Sequence, residues 1–198
     1  MSRLIYLMGA SGVGKDSLLR GLREMAPERL VAHRYITRRG TLDEQHIALS
    51  EAEFERRHAA GLFCLHWHAH GLRYGVGIEI TQWLALGHSV IVNGSRGHLD
   101  TARRRFDVQL TPLLITAEEP VIRERLKRRG RESDDEIEAR LRRHHDETAS
   151  LPDDVNRLDN STTLDAGVTR LCHWLDALDS TVLPATPHLR PLTSGAPS

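Results

Sequence analysis

Gly9-Ala10-Ser11-Gly12-Val13-Gly14-Lys15 has the G-x-x-x-x-G-K spacing of a loop that cradles a nucleotide polyphosphate. Its chemistry is electrostatic. The glycines let backbone N–H groups close around phosphate oxygens where a Cβ would obstruct them. Lys15 brings a point charge to the β/γ-phosphates. Both flanks suit this use. Leu4-Ile5-Tyr6-Leu7-Met8 reads as a short buried strand, and Ser17-Leu18-Leu19-Arg20-Gly21-Leu22 opens a helical pattern. Strand, turn and positive helix end then converge on one anion. Gly9, Ala10, Ser11, Gly12, Val13, Gly14, Lys15, Asp16 and Ser17 are the expected ATP-binding set. Asp16 stands where most such loops carry Ser or Thr to ligate magnesium. Asp16, through water, and Ser17 are therefore the candidate Mg²⁺ ligands. The alternative for Asp16 is electrostatic support of the helix N-terminus.

The elements that hold this loop alternate along the chain. A basic loop is expected around Arg34 to Gly40. Ser50 to Arg57 reads as a helix, with Ser50 as N-cap and Glu53 completing a capping box. Leu62 to Trp67 looks extended, and Ile80 to Leu86 reads as a helix that stops at Gly87. Ser89-Val90-Ile91-Val92 and Leu113-Leu114-Ile115-Thr116 read as further buried strands. Charged helices follow near Glu118–Arg129 and Asp134–Thr148, joined at Gly130. Val155 to Leu158 is a last short strand before a helix from Leu164 to Leu178. The pattern implies an α/β fold: a P-loop NTPase with a parallel sheet core and helices on both faces. Its ligand should sit at the carboxyl ends of the strands.

The chain has 198 residues, enough for one domain with a lid. Residues 1–180 are expected to form the kinase domain, with an acceptor-binding part over 34–86 and a lid over 118–148. Residues 181–198, rich in Pro, Ser and Thr, read as a disordered tail. Lys+Arg and Asp+Glu each number 27, so no global basic field calls for nucleic acid. No apolar run suits a membrane, and the five-residue run before the P-loop is no signal peptide. Cys64 and Cys172 form no disulfide framework and read as buried thiols. A cytoplasmic protein is expected; its oligomeric state is open, a homodimer included.

The ordered landmarks carry a resemblance. They are residues 9–17, Arg34-Tyr35-Ile36-Thr37-Arg38, Glu44-Gln45-His46, residues 67–75, Val92-Asn93-Gly94-Ser95-Arg96 and Arg129-Gly130-Arg131-Glu132. From Gly9 to Leu178 the chain resembles the guanylate kinase branch of nucleoside monophosphate kinases. It is more similar still to the ribose 1,5-bisphosphate phosphokinases of phosphonate catabolism, which make phosphoribosyl diphosphate (PRPP). Asp after the P-loop lysine and Asn-Gly-Ser-Arg after the strand are marks of that group.

The departures from guanylate kinase fall at positions that read the base. The guanine-accepting Glu is replaced by Leu65, counting from Phe63. A leucine leaves guanine N–H donors unpaired, at about 1–3 kcal/mol each. A guanine-contacting Ser is replaced by Arg34, and the acidic Asp-x-Asp by Asn93-Gly94-Ser95. The site thus resembles one rebuilt for more phosphate and no guanine.

The resemblance implies further roles. Arg38 matches the first acceptor-phosphate arginine; the second falls at Thr41, with Arg39 close enough to substitute. His46 stands at a phosphate-binding Tyr position, and Tyr74 matches a Tyr near the acceptor phosphate. Arg34, Arg38, His46, Tyr74, Asn93, Ser95 and Arg96 are the implied acceptor-binding set. Arg125, Arg129 and Arg140 match arginines of the lid and adjacent helix; Arg125 is assigned to ATP, and Arg129 and Arg140, with Lys15, to catalysis. Arg123, Arg128, Arg142 and Arg143 read as solvated. His66, His68 and His70 alternate, but no fourth zinc ligand is evident and the family needs none. His144-His145 reads as surface.

The implied reaction is phosphoryl transfer from ATP, with Mg²⁺, to ribose 1,5-bisphosphate. An acceptor phosphate with a second pKa of about 6 is mostly dianionic and needs no strong base. Positioning and charge neutralisation then carry catalysis. A nucleoside monophosphate kinase is the first alternative. An inactive guanylate-kinase-like binding module is the second, although such modules usually lose the P-loop lysine or glycines, all retained here.

Overall fold

The computed structural model describes residues 2–38, 46–130, 132–149 and 151–180. In chain order its elements are β1 (Leu4–Met8), α1 (Lys15–Met25), β2 (Leu30–Val31), β3 (Arg34–Ile36), β4 (His46–Ala48), α2 (Glu51–Ala59), β5 (Phe63–Ala69), β6 (Leu72–Gly77) and α3 (Glu79–Ala85). They continue as β7 (Val90–Asn93), α4 (Leu99–Phe106), β8 (Leu110–Thr116), α5 (Glu119–Arg129), α6 (Asp134–Ala149), β9 (Asn156–Asp159) and α7 (Leu164–Ser180).

The apolar run of β1 is wholly buried, as expected of a central strand of a parallel sheet. The sheet order is β2-β7-β1-β8-β9, and every pairing is parallel. Successive side chains of β1 enter opposite layers. Ile5 and Leu7 meet α1, α5, α6 and α7 through Leu18, Leu22, Ile122, Leu126, Ile137, Leu141, Val168 and Leu171. Leu4, Tyr6 and Met8 meet α3 and α4 through Ile80, Leu84, Leu99, Ala102 and Phe106. The fold is therefore the expected P-loop α/β architecture with helices on both faces.

A second sheet, ordered β4-β3-β6-β5, packs Leu65, Trp67 and Val76 into that second layer. β3 runs parallel to β4 and antiparallel to β6, and β5–β6 is an antiparallel hairpin. This corrects the expectation of a loop from Arg34: Tyr35 and Ile36 are paired with Gly75 and Tyr74, so the start of the basic segment is a strand. Arg39, Thr41, Glu44, Gln45, Arg131 and the tail 181–198 lie outside the described residues.

Helix ends follow local chemistry. Ser50 Oγ accepts the Glu53 N–H at 3.1 Å, but Glu53 bonds Arg56 and Arg57 rather than closing the box. A reciprocal box does form before α6: the Ser133 N–H donates to Glu136 at 2.7 Å, and the Glu136 N–H to Ser133 Oγ at 3.3 Å. α5 ends at Gly130, in the left-handed region at φ 62. Arg123 joins α5 to α6 by pairing with Glu138, so it is tied down rather than merely solvated. Among the described residues, no helix is long and apolar enough to cross a membrane.

Candidate active site

The carboxyl ends of β1, β7 and β9 open onto a cleft of about 1140 Å³. The P-loop forms its floor. Gly14 adopts φ 92 at the start of α1, and a Cβ there would lie 2.6 Å from Asn160 Nδ2. Only glycine meets both demands. Asn160 follows β9, is buried, and donates to the Val13 carbonyl at 2.8 Å. It thus fixes the loop from behind and also lines the cleft. No sequence signal singled it out, because an Asn after a strand reads as an ordinary turn residue.

Lys15 folds back onto the Gly9 and Ala10 carbonyls at 2.6 and 2.9 Å. Burial lowers its pKa to about 8; Asp16 opposes the shift, while Arg34, Arg96 and Arg129 add to it. A polyphosphate would supply the missing negative charge. Val13 is different from its neighbours in the motif: its side chain is fully buried in the core, and its carbonyl is taken by Asn160 and by Arg125 at 3.2 Å.

Gly9, Ala10, Ser11, Gly12, Gly14, Lys15, Asp16 and Ser17 all line the cleft. Arg125, Arg129 and Arg140 face it from α5 and α6, and Arg34, Tyr74, Ser95 and Arg96 from the second sheet and the turn after β7. Arg128, exposed to solvent as expected, also lines it. The helical repeat brings Arg125, Arg128 and Arg129 to one face of α5 at i, i+3 and i+4. Arg140 bonds Glu132 at 3.1 Å. Cationic Lys15, Arg34, Arg96, Arg125, Arg128, Arg129 and Arg140 share the cleft with only two carboxylates, Asp16 and Glu124, among the described residues. A field of that sign suits polyanions.

The structure does not bring every expected acceptor residue to this cleft. Arg38 is exposed just beyond β3, and His46 is buried in β4 at the edge of the second sheet; neither lines it. Asn93 is buried at the end of β7, and its Nδ2 donates to Asp16 Oδ1 at 2.8 Å. It serves Asp16 rather than the open cleft. Leu65 is buried in the apolar layer and offers nothing polar. Trp67 does reach the cleft, stacked on Tyr74 with ring centroids 5.5 Å apart and planes 4° from parallel. Arg34 lies over the other partner of that stack, its guanidinium 5.8 Å from the Tyr74 ring centre.

Of the alternating histidines, His66 meets His58 at 3.1 Å between ring nitrogens, His68 is exposed on β5, and His70 sits in the β5–β6 turn at φ 51. Oxygen donors for a hard cation stand elsewhere, at Asp16 and Ser17 on the first turn of α1. Asp16 remains half exposed, with its Oδ1 held by Asn93 and approached by Arg34 at 3.4 Å. This donor set fits Mg²⁺, which takes carboxylate and hydroxyl oxygens.

Comparison with known proteins adds the family. A family model described as an AAA domain matches residues 5–147. The ribose 1,5-bisphosphate phosphokinase PhnN of Pectobacterium atrosepticum is 50% identical over 166 residues, covering 83% of this chain and 88% of that protein. That of Yersinia pestis is 48% identical over 173 residues, 86% and 90% of the two chains. That of Pantoea vagans is 54% identical over 145 residues, 72% and 82%. Among solved structures, a guanylate kinase from Anaplasma phagocytophilum superposes with a TM-score of 0.68 at 16% identity, over 89% of this chain and 86% of the other. That likeness speaks for the fold. With its AAA-type P-loop domain, the chain belongs to the ribose 1,5-bisphosphate phosphokinase family.

Proposed function

We propose that this kinase transfers the γ-phosphoryl group of ATP to the 1-phosphate of ribose 1,5-bisphosphate, giving 5-phospho-α-D-ribose 1-diphosphate and ADP. Identity near 50% to phosphokinases of that name supports the reading. The observation that carries it is the cationic cleft, in which Arg34 and Arg96 add charge beyond that of the P-loop lysine and the α5–α6 arginines.

In this reading the P-loop amides and Lys15 hold the β- and γ-phosphates, and Arg125 faces the nucleotide from α5. Arg34, Ser95 and Arg96 hold the bisphosphate, with Tyr74 beside them. An oxygen of the 1-phosphate attacks the γ-phosphorus as the bond to the ADP oxygen breaks. The attacking dianion needs no proton removed, so the chain needs no general base. Its work is to align the groups and to neutralise repulsion between two polyanions. Arg129 and Arg140, on the α5–α6 hairpin, serve the transferred group, and closure of that hairpin would exclude water. Asp16 and Ser17 would hold Mg²⁺, which when bound neutralises phosphate charge. Arg38 and His46 remain candidates for acceptor binding only if the second sheet rearranges with substrate. The unpaired thiols of Cys64 and Cys172 support a cytoplasmic location.

Phosphorus NMR of a reaction with Mg-ATP and ribose 1,5-bisphosphate tests this. The reading expects the anomeric monophosphate signal to be replaced by two coupled diphosphate signals as ADP appears. ADP and inorganic phosphate alone would mean hydrolysis and would overturn it.

A further inference from the structure

Asn93 ends β7 beside the P-loop and is 3% exposed. A carboxylate only accepts hydrogen bonds, so the 2.8 Å contact with Asp16 Oδ1 fixes the amide: its NH₂ faces Asp16. The Asn93 Oδ1 is thereby turned inward, buried, with no partner among the described residues. Leaving such an acceptor unpaired is costly. The sequence accepts that cost at the one side chain that orients Asp16 from the neighbouring strand.

In P-loop enzymes generally, the residue after the lysine is a hydroxyl and the adjacent strand supplies a carboxylate, and both serve the metal. Here the carboxylate is on the helix, at Asp16, and the neutral hydrogen-bond donor is on the strand, at Asn93. Charge and hydrogen bond are conserved while their two ends are exchanged. We infer that Asn93 is a positioning residue that holds Asp16 as the chain's cation-binding carboxylate, through an exchange of acidic and neutral partners across the P-loop and β7. The inference rests on the kinase reading, but its test requires no acceptor.

The full chain is titrated with a non-hydrolysable ATP analogue, with and without Mg²⁺, and the ratio of the two affinities is the readout. Asp16→Ser and Asn93→Ala should each reduce the Mg²⁺ enhancement by about tenfold or more, the scale of a lost charge-assisted bond. For Asn93→Ala, affinity without metal should stay near wild type, which also shows that the loop is folded. The exchange variant Asp16→Ser with Asn93→Asp should recover most of the enhancement. A merely structural Asn93 would weaken binding equally with and without metal. That result, an unchanged enhancement in Asn93→Ala, or an exchange variant no better than Asp16→Ser would overturn the inference. Should Asn93→Ala fail to fold, the exchange variant and Asp16→Asn decide alone. These outcomes are independent of whether ribose 1,5-bisphosphate is the acceptor.

Discussion

Tyr6 and Ser95 exchange two hydrogen bonds: the Tyr6 hydroxyl donates to the Ser95 carbonyl at 3.0 Å and accepts the Ser95 N–H at 2.9 Å. The phenol is wholly buried, and burial pushes its pKa up to about 12. A core side chain on the central strand therefore holds the turn that presents Ser95 and Arg96 to the cleft. Tyr6→Phe should cost about 1–3 kcal/mol of stability, because the Ser95 N–H loses its partner, while the Ser95 carbonyl keeps the His98 N–H at 3.1 Å. If Ser95 and Arg96 hold the acceptor, KM for the bisphosphate should rise while KM for ATP changes little. Denaturant melts and steady-state kinetics check both halves.

The same contact explains Gly94. A Cβ there would stand 2.1 Å from Tyr6 Cζ, inside the packed layer. Gly94→Ala should destabilise by about 1–3 kcal/mol or more through overpacking. A thermal melt unchanged from wild type would contradict the close packing of this turn.

Lys15 gives a pH prediction. Its ordinary pKa of 10.5 is lowered to about 8, first by burial and then by Arg34, Arg96 and Arg129. Bound polyphosphate favours the charged form and should raise the pKa again. Free enzyme at pH 8 to 9 is thus partly deprotonated at Lys15, and nucleotide binding should take up a proton there. Near pH 6 the lysine is already charged and its uptake should vanish. Calorimetry in buffers of differing ionisation enthalpy reads this directly, and Lys15→Met should abolish the alkaline uptake.

Arg129 and Arg96 should separate kinetically. Arg129→Ala should lower kcat by about 10²- to 10³-fold, as expected for loss of a transition-state charge partner. Arg96→Ala should act mainly on KM for the bisphosphate, by about tenfold for a lost charged contact. Equal effects on both constants in both variants would contradict the division of roles.

Some of this was legible from residue order alone. Glycine spacing with an apolar strand before it and a helical pattern after it is a local signature, and local signatures survive folding. The parallel sheet followed for the same reason, from short apolar runs alternating with charged helices. What escaped depends on partners distant in sequence. β3 carries Arg34 and reads as a basic loop until β6 pairs with it, and β6 itself, interrupted by Gly75 and Gly77, carries no apolar run that marks a strand. α4 hides its buried Leu99, Ala102 and Phe106 behind Arg103-Arg104-Arg105. Family position suggested Asn93, Arg38 and His46 for the acceptor, whereas the structure joins Asn93 to Asp16 and leaves the other two away from the cleft. Tyr6 and Asn160 gave no signal, since their roles lie in hydrogen bonds across 89 and 147 residues of chain.

The most direct test of the central claim is ADP release by the purified protein with Mg-ATP, offered ribose 1,5-bisphosphate and GMP in parallel. Turnover on the bisphosphate with GMP inert is the predicted result, because the arginine-lined cleft offers phosphate contacts while Leu65, buried in the apolar layer, offers no guanine reader. Turnover on GMP with the bisphosphate inert would contradict it.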